Sequence, residues 1–150
     1  MTRLNALFAA LLVLWPVHAF AGPAEEASAV IDRWAAAFSA NDADAVVKLY
    51  TPDALLHGIT SAKLYAGSEA VREYFGSAPE RGNKITIGER HMVVLADAAV
   101  MGVGFYQFDL LQNGIRVPRS ARFTFVVVKR GADWRIAHHH SSATPPAPYQ

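Results

Sequence analysis

The chain of 150 residues contains no cysteine. Disulfides, thiolate metal centres and a cysteine nucleophile are all excluded, so stability must come from a packed core and from association with other chains. Net charge is also nearly absent, at +1 from 14 basic and 13 acidic residues. Without a basic field there is nothing to hold a phosphate backbone, and nucleic acid is not expected as a partner. The sequence has no Gly-x-Ser-x-Gly elbow for acyl transfer and no Gly-x-Gly-x-x-Gly turn opening a helix after a strand. No internal repeat is visible, and the length suits one domain.

Long hydrophobic runs are missing except at the N-terminus. There "MTR" precedes the apolar "LNALFAALLVLWPV", and "AFA" places small residues at Ala19 and Ala21. That layout is a secretory signal over residues 1–21, cleaved after Ala21. The run is interrupted by Pro16 and falls short of the roughly 20 apolar residues a membrane span requires. The expected mature chain is therefore periplasmic or secreted and has no membrane segment. Removing the signal takes away Arg3 and no acid, which leaves bases and acids balanced.

The rest of the chain is organised in two halves. "PAEEASAVIDRWAAAFSA", residues 23–40, carries Ala27, Ile31, Trp34 and Phe38 at helical spacing, with Glu25 and Glu26 in its first turn. Asn41-Asp42 caps a second, shorter helix over 43–50, and Thr51-Pro52 stops it. "DALLHG" (53–58) reads as a short extended piece, and a third helix begins after Gly67 with Val71, Tyr74 and Phe75 on one side. From Lys84 the pattern changes. The stretches 84–95, 98–111, 115–129 and 133–142 are rich in β-branched and aromatic residues, and Asp97, Asn113-Gly114 and Arg130-Gly131 separate them. Asn-Gly between two such runs is a strong hairpin signal. Helices and then a meander imply an α+β domain over 22–143, with N-terminal helices packed on a curved antiparallel sheet. Residues 144–150 form a proline-rich tail.

This order of elements, with "FSANDADAVVKLYTPDALL", "GSEAVREYF", "ARFTFVVVKR" and "DWRIAHHHSSATPP", resembles the nuclear-transport-factor-2-like, or cystatin-like cone, superfamily. Within it the sequence is most similar to the association domain of calcium/calmodulin-dependent kinase type II and its free-standing bacterial relatives. The resemblance implies a cone enclosing a small-molecule pocket and a homo-oligomer assembled through the sheet. It does not imply kinase activity, because the Gly-rich loop, the Val-Ala-Ile-Lys strand and the His-Arg-Asp segment are all missing. Nor does it carry over the arginines and histidine that suit an anionic ligand in the kinase domain. Those places fall at Gly104, Phe125, Ser141 and Val71, so a more apolar pocket is expected.

Three histidines in a row, His138, His139 and His140, invite a metal reading. Strand alternation sends His138 and His140 to one face and His139 to the other. His-x-His can place two imidazoles on one zinc ion, with His57, His91, Glu89 or Asp109 as a third ligand. With no second metal motif, the expectation is no metal and no cofactor. His138 and His140 are assigned instead, with Trp134 and Ile136, to a subunit contact on the outer face. His139 with Ser141 is assigned to the pocket, alongside Tyr50, Tyr106 and Phe125, and Gly102 and Gly104 are expected to leave space there. Relatives with this fold include isomerases and cyclases, so a general base is sought at His139, His57 or Asp53. Asp53 reads more readily as a cap or turn residue than as a base. The function expected is therefore an exported, oligomeric pocket protein, with a cofactor-independent isomerase or lyase as the alternative.

Overall fold

The computed structural model describes residues 21–76 and 83–145. Residues 1–20 of the expected signal and 146–150 of the expected tail lie outside the described residues. No described helix is long and apolar enough to cross a membrane.

Helix α1 (Pro23–Ser39) starts on a proline in its first turn, where a missing N–H costs nothing. It buries Ala27, Val30, Ile31, Trp34 and Ala35 along one stripe. Asn41 then takes a left-handed conformation (φ 58°), and the Asp42 carboxylate accepts the Ala45 N–H at 2.9 Å to cap α2 (Ala43–Lys48). This helix is shorter than the expected 43–50. The Leu49 carbonyl accepts the Ile136 N–H at 2.8 Å, which draws the chain into strand β1 (Tyr50–His57). Strand β2 (Leu64–Ala66) and helix α3 (Gly67–Gly76) follow. Then come the long strands β3 (Lys84–Ala96), β4 (Ala99–Gln112), β5 (Ile115–Arg130) and β6 (Asp133–Ala143). Asn113 and Gly114 both have positive φ at the β4–β5 turn, and Gly131 does at the β5–β6 turn. These are the turn positions the sequence marks.

The six strands form one sheet in the order β2-β1-β6-β5-β4-β3. All neighbours are antiparallel except β1 and β6, which run parallel with Leu56 opposite His139 and His57 opposite His140. The sheet is thus mixed rather than wholly antiparallel. The helices cover one face, and the core between them includes Trp34, Tyr50, Leu56, Phe125 and Ile136.

Two expectations about faces need correction. First, Val126 pairs with His138 and Val127 with Ile136, which leaves Ala137 as an extra residue. This bulge reverses the phase of β6, because one added residue moves all that precede it to the opposite face. Trp134 and Ile136 are therefore buried on the inner side with His139 and Ser141, and they do not share the outer face of His138 and His140. The Trp134 indole N–H donates to Glu26 of α1 at 2.5 Å, so Trp134 belongs to the intrachain core and not to a subunit contact. Second, Gly102 and Gly104 do not open space. A Cβ at Gly102 would lie 2.8 Å from Ile31 Cδ1, and one at Gly104 would lie 2.4 Å from the Glu89 carbonyl oxygen. The irregularity of β3 between Ile87 and Arg90 presses its backbone into the place where the Gly104 side chain would be.

Candidate functional site

Between α1, α3 and the inner face of the sheet lies a cavity of about 620 Å³, the size of ordinary small-molecule sites. Its walls are chiefly rings: Trp34 and Phe38 from α1, Phe75 from α3, and Tyr106 from β4. His139 and Ser141 enter from β6, and Arg119 stands exposed among the lining residues.

His139 is 2% exposed. Phe125 stacks on its ring with centroids 4.0 Å apart, and Trp34 meets it edge-on at 4.9 Å. Its Nδ1 lies 2.9 Å from the Tyr50 hydroxyl, whereas its Nε2 has no hydrogen-bond partner. The hydrogen-bond network assigns the tautomer. The Tyr50 O–H has no other acceptor among the described residues, so it donates to Nδ1 and the imidazole proton sits on Nε2. Burial, reinforced by the neighbouring His138 and His140, pushes the pKa of His139 down to about 3. At neutral pH this ring is a weak base and an unpaired hydrogen-bond donor.

The two phenols are also locked in the protonated form. Burial raises the Tyr50 pKa, and the neighbouring Trp34 side chain only partly opposes that rise. The Trp34 indole N–H has no hydrogen-bond partner among the described residues. Burial likewise raises Tyr106, partly offset by the hydrogen bond that its O–H donates to the Ser141 hydroxyl.

Of the residues expected at the pocket, Tyr106, His139 and Ser141 line the cavity. Tyr50 and Phe125 stand one layer behind, where they orient His139, and Gly104 is packed away against β3. Of the candidate bases, only His139 reaches the cavity. His57 is exposed on the outer face. Asp53 is also exposed, and the Thr51 side chain and its own backbone hold its carboxyl below the usual range. Sequence reasoning missed Trp34, Phe38 and Phe75 as wall residues. Their helical spacing had marked only an apolar face, and such a face looks the same whether it meets the core or a cavity.

The family model for the calcium/calmodulin dependent protein kinase II association domain matches residues 23–145. The chain belongs to this association-domain family. A solved structure described as an association domain of this kind, from Xanthomonas campestris, is 34% identical. The match covers 90% of this chain and 100% of that one, with a TM-score of 0.77. The hub homology domain from Chlamydomonas reinhardtii, at 19% identity and TM-score 0.71, covers 83% and 100%. A ketosteroid isomerase-like protein from Erwinia carotovora, at 20% identity and TM-score 0.71, covers 85% and 100%. These last two likenesses establish a shared fold, which other solved neighbours are described as having under the name cystatin-like, and nothing about chemistry. No curated protein matches the chain.

Proposed function

We propose that this association domain is a self-assembling binding module. Its cavity takes a small molecule with an uncharged aromatic or alicyclic body and one oxygen that accepts from His139. The observation that carries this reading is an aromatic cavity of small-molecule size with the unpartnered Nε2 of His139 buried just behind its wall. A donor left unpaired in such a place is costly, and a ligand oxygen would satisfy it once the rings that cover Nε2 shift to admit it. A catalytic reading is less favoured. Among the described residues the lining holds no carboxylate, and a histidine with its pKa near 3 makes a poor general base.

The test is fluorescence titration with 2-acetylnaphthalene and 2-ethylnaphthalene, which differ in the carbonyl. The ketone is expected to bind about tenfold more tightly, and His139→Leu to remove that difference. Equal affinities in the parent protein would overturn the reading.

Self-assembly is assigned to the outer face of the sheet, where Leu55, Val93 and Phe105 are 42%, 43% and 49% exposed. Cross-strand register joins Leu55, His138, Val126, Met101 and Val93 into one row across it. A second copy covering that row would remove this apolar surface from water. Phe105→Glu places a charge in the contact. It is expected to lower the solution mass to that of a single chain by light scattering, and an unchanged mass would count against this face. Export belongs to the same proposal, and a mature N-terminus at Gly22, read by intact-mass measurement after expression with the full leader, is its check.

A further inference from the structure

Apart from tyrosine and tryptophan, the polar residues buried among the described ones are Thr51, His139 and Ser141, and only the last two line the cavity. Ser141 stands two residues beyond His139 on the same face of β6 and is 7% exposed. Strand β1 ends at His57, level with His140, so Ser141 lies past the end of its neighbouring strand.

The Ser141 hydroxyl accepts the Tyr106 O–H. Tyr106 is itself buried. Its ring stacks on Trp34 and Phe123, with centroids 6.0 and 5.1 Å away, and meets Phe108 edge-on at 4.9 Å. That packing fixes the phenol, and burial keeps it protonated. Tyr106 is the donor of this pair, so the Ser141 proton is left over, and it has no acceptor among the described residues. We propose that Ser141, oriented by Tyr106, is a second hydrogen-bond donor of the cavity and selects a ligand with a second acceptor oxygen: a flat cyclic dione of the para-quinone type. This inference rests on the reading of the cavity as a small-molecule site.

Spacing and chemistry define that class. Residues two apart on one strand face are separated by roughly 6.5 Å. Acceptors on adjacent ligand atoms would crowd one donor, whereas carbonyls on opposite sides of a six-membered ring can each meet their own. The described lining residues include no carboxylate, so the wall suits acceptors and offers no counter-charge to a cation. Trp34, Phe38, Phe75 and Phe108 supply ring faces, whose negative quadrupole favours stacking of an electron-poor quinone. A hydroxyl that already accepts a hydrogen bond is also the stronger donor, because bonds in a chain polarise one another. Tyr106 is thus a positioning residue, which aims and strengthens the Ser141 donor without meeting the second oxygen.

The test is calorimetric titration of the mature chain with 1,4-naphthoquinone and with 1-tetralone, which keeps one carbonyl on the same skeleton. The chain has no cysteine, so thiol addition does not consume the quinone. The dione is expected to bind about tenfold more tightly than the mono-ketone. In Ser141→Ala/Tyr106→Phe both hydroxyls of the pair are removed and neither is left unsatisfied, and the affinity ratio should fall by about fivefold or more. Tyr106→Phe alone should lower the ratio part of the way, and it carries the test if the double variant does not fold. A ratio unchanged in the variants would show that the preference comes from ring stacking and would overturn the proposal. Equal affinities in the parent protein would overturn it and leave the cavity reading standing, whereas no binding of either compound would overturn both.

Discussion

Between pH 7 and pH 4.5, in buffer containing chelator, the folded domain is expected to lose about 2–3 kcal/mol of stability through His139. In the unfolded chain this imidazole takes up a proton near pH 6.5, its ordinary value, whereas in the folded protein it resists protonation down to about 3. The unfolded state therefore binds more protons throughout that window. The stability is fully present above pH 6.5, declines as pH falls, and is exhausted near pH 3. Stopping at pH 4.5 limits the contribution of carboxylates, most of which protonate lower. His138, whose pKa is also lowered, adds to the decline in the same direction.

Urea unfolding at the two pH values measures the loss, which is a large part of the 5–15 kcal/mol that holds a typical domain together. In the double variant Tyr50→Phe/His139→Phe both partners of the buried hydrogen bond become apolar, so neither is left unsatisfied. Its stability should depend far less on pH. A parent protein equally stable at both pH values, or a double variant with the same decline, would show that the buried imidazole does not control acid sensitivity.

Gly104→Ala is expected to destabilise the domain by about 3 kcal/mol, the upper range for overpacking. The added carbon would lie 2.4 Å from the Glu89 carbonyl oxygen and 2.9 Å from Arg90 Cα. Both are backbone atoms that cannot swing aside, so β3 would have to move off β4. Gly76→Ala is the comparison, because a Cβ there meets nothing within 4 Å. At the end of α3 that change should be neutral or stabilising by up to about 1 kcal/mol. Thermal unfolding of the two variants side by side separates the clash from any general intolerance of alanine. If Gly104→Ala were as stable as Gly76→Ala, the close approach of β3 to β4 would be relaxed in solution.

Acid sensitivity and the Gly104 clash differ in how visible they are in the sequence. That His139 faces one side of the sheet and His138 and His140 the other follows from strand alternation, because no irregularity intervenes between them, and the family resemblance names the side that is inner. The same rule applied upstream misplaces Trp134 and Ile136, because it cannot detect the extra residue at Ala137. Gly104 reads in the sequence as a missing side chain, and hence as space. Only the path of the neighbouring strand shows that the space is filled.

By itself, the sequence determined what is periodic and local. It set the amphipathic stripe of α1, the Asp42 cap, the Asn113-Gly114 and Gly131 turns, and the alternation along β5 that sends Phe123 and Phe125 inward and Arg122 outward. These features depend on residues within a few positions of one another, and the chain's own geometry enforces them. The tertiary structure alone decided which distant segments become neighbours. The parallel pairing of β1 with β6 joins His57 to His140 and Tyr50 to His139 across 83 and 89 positions. The cavity exists because helices from the first half stand their rings over strands from the second. Such contacts are set by register, bulges and packing of the whole sheet, for which no short stretch of sequence carries a signal.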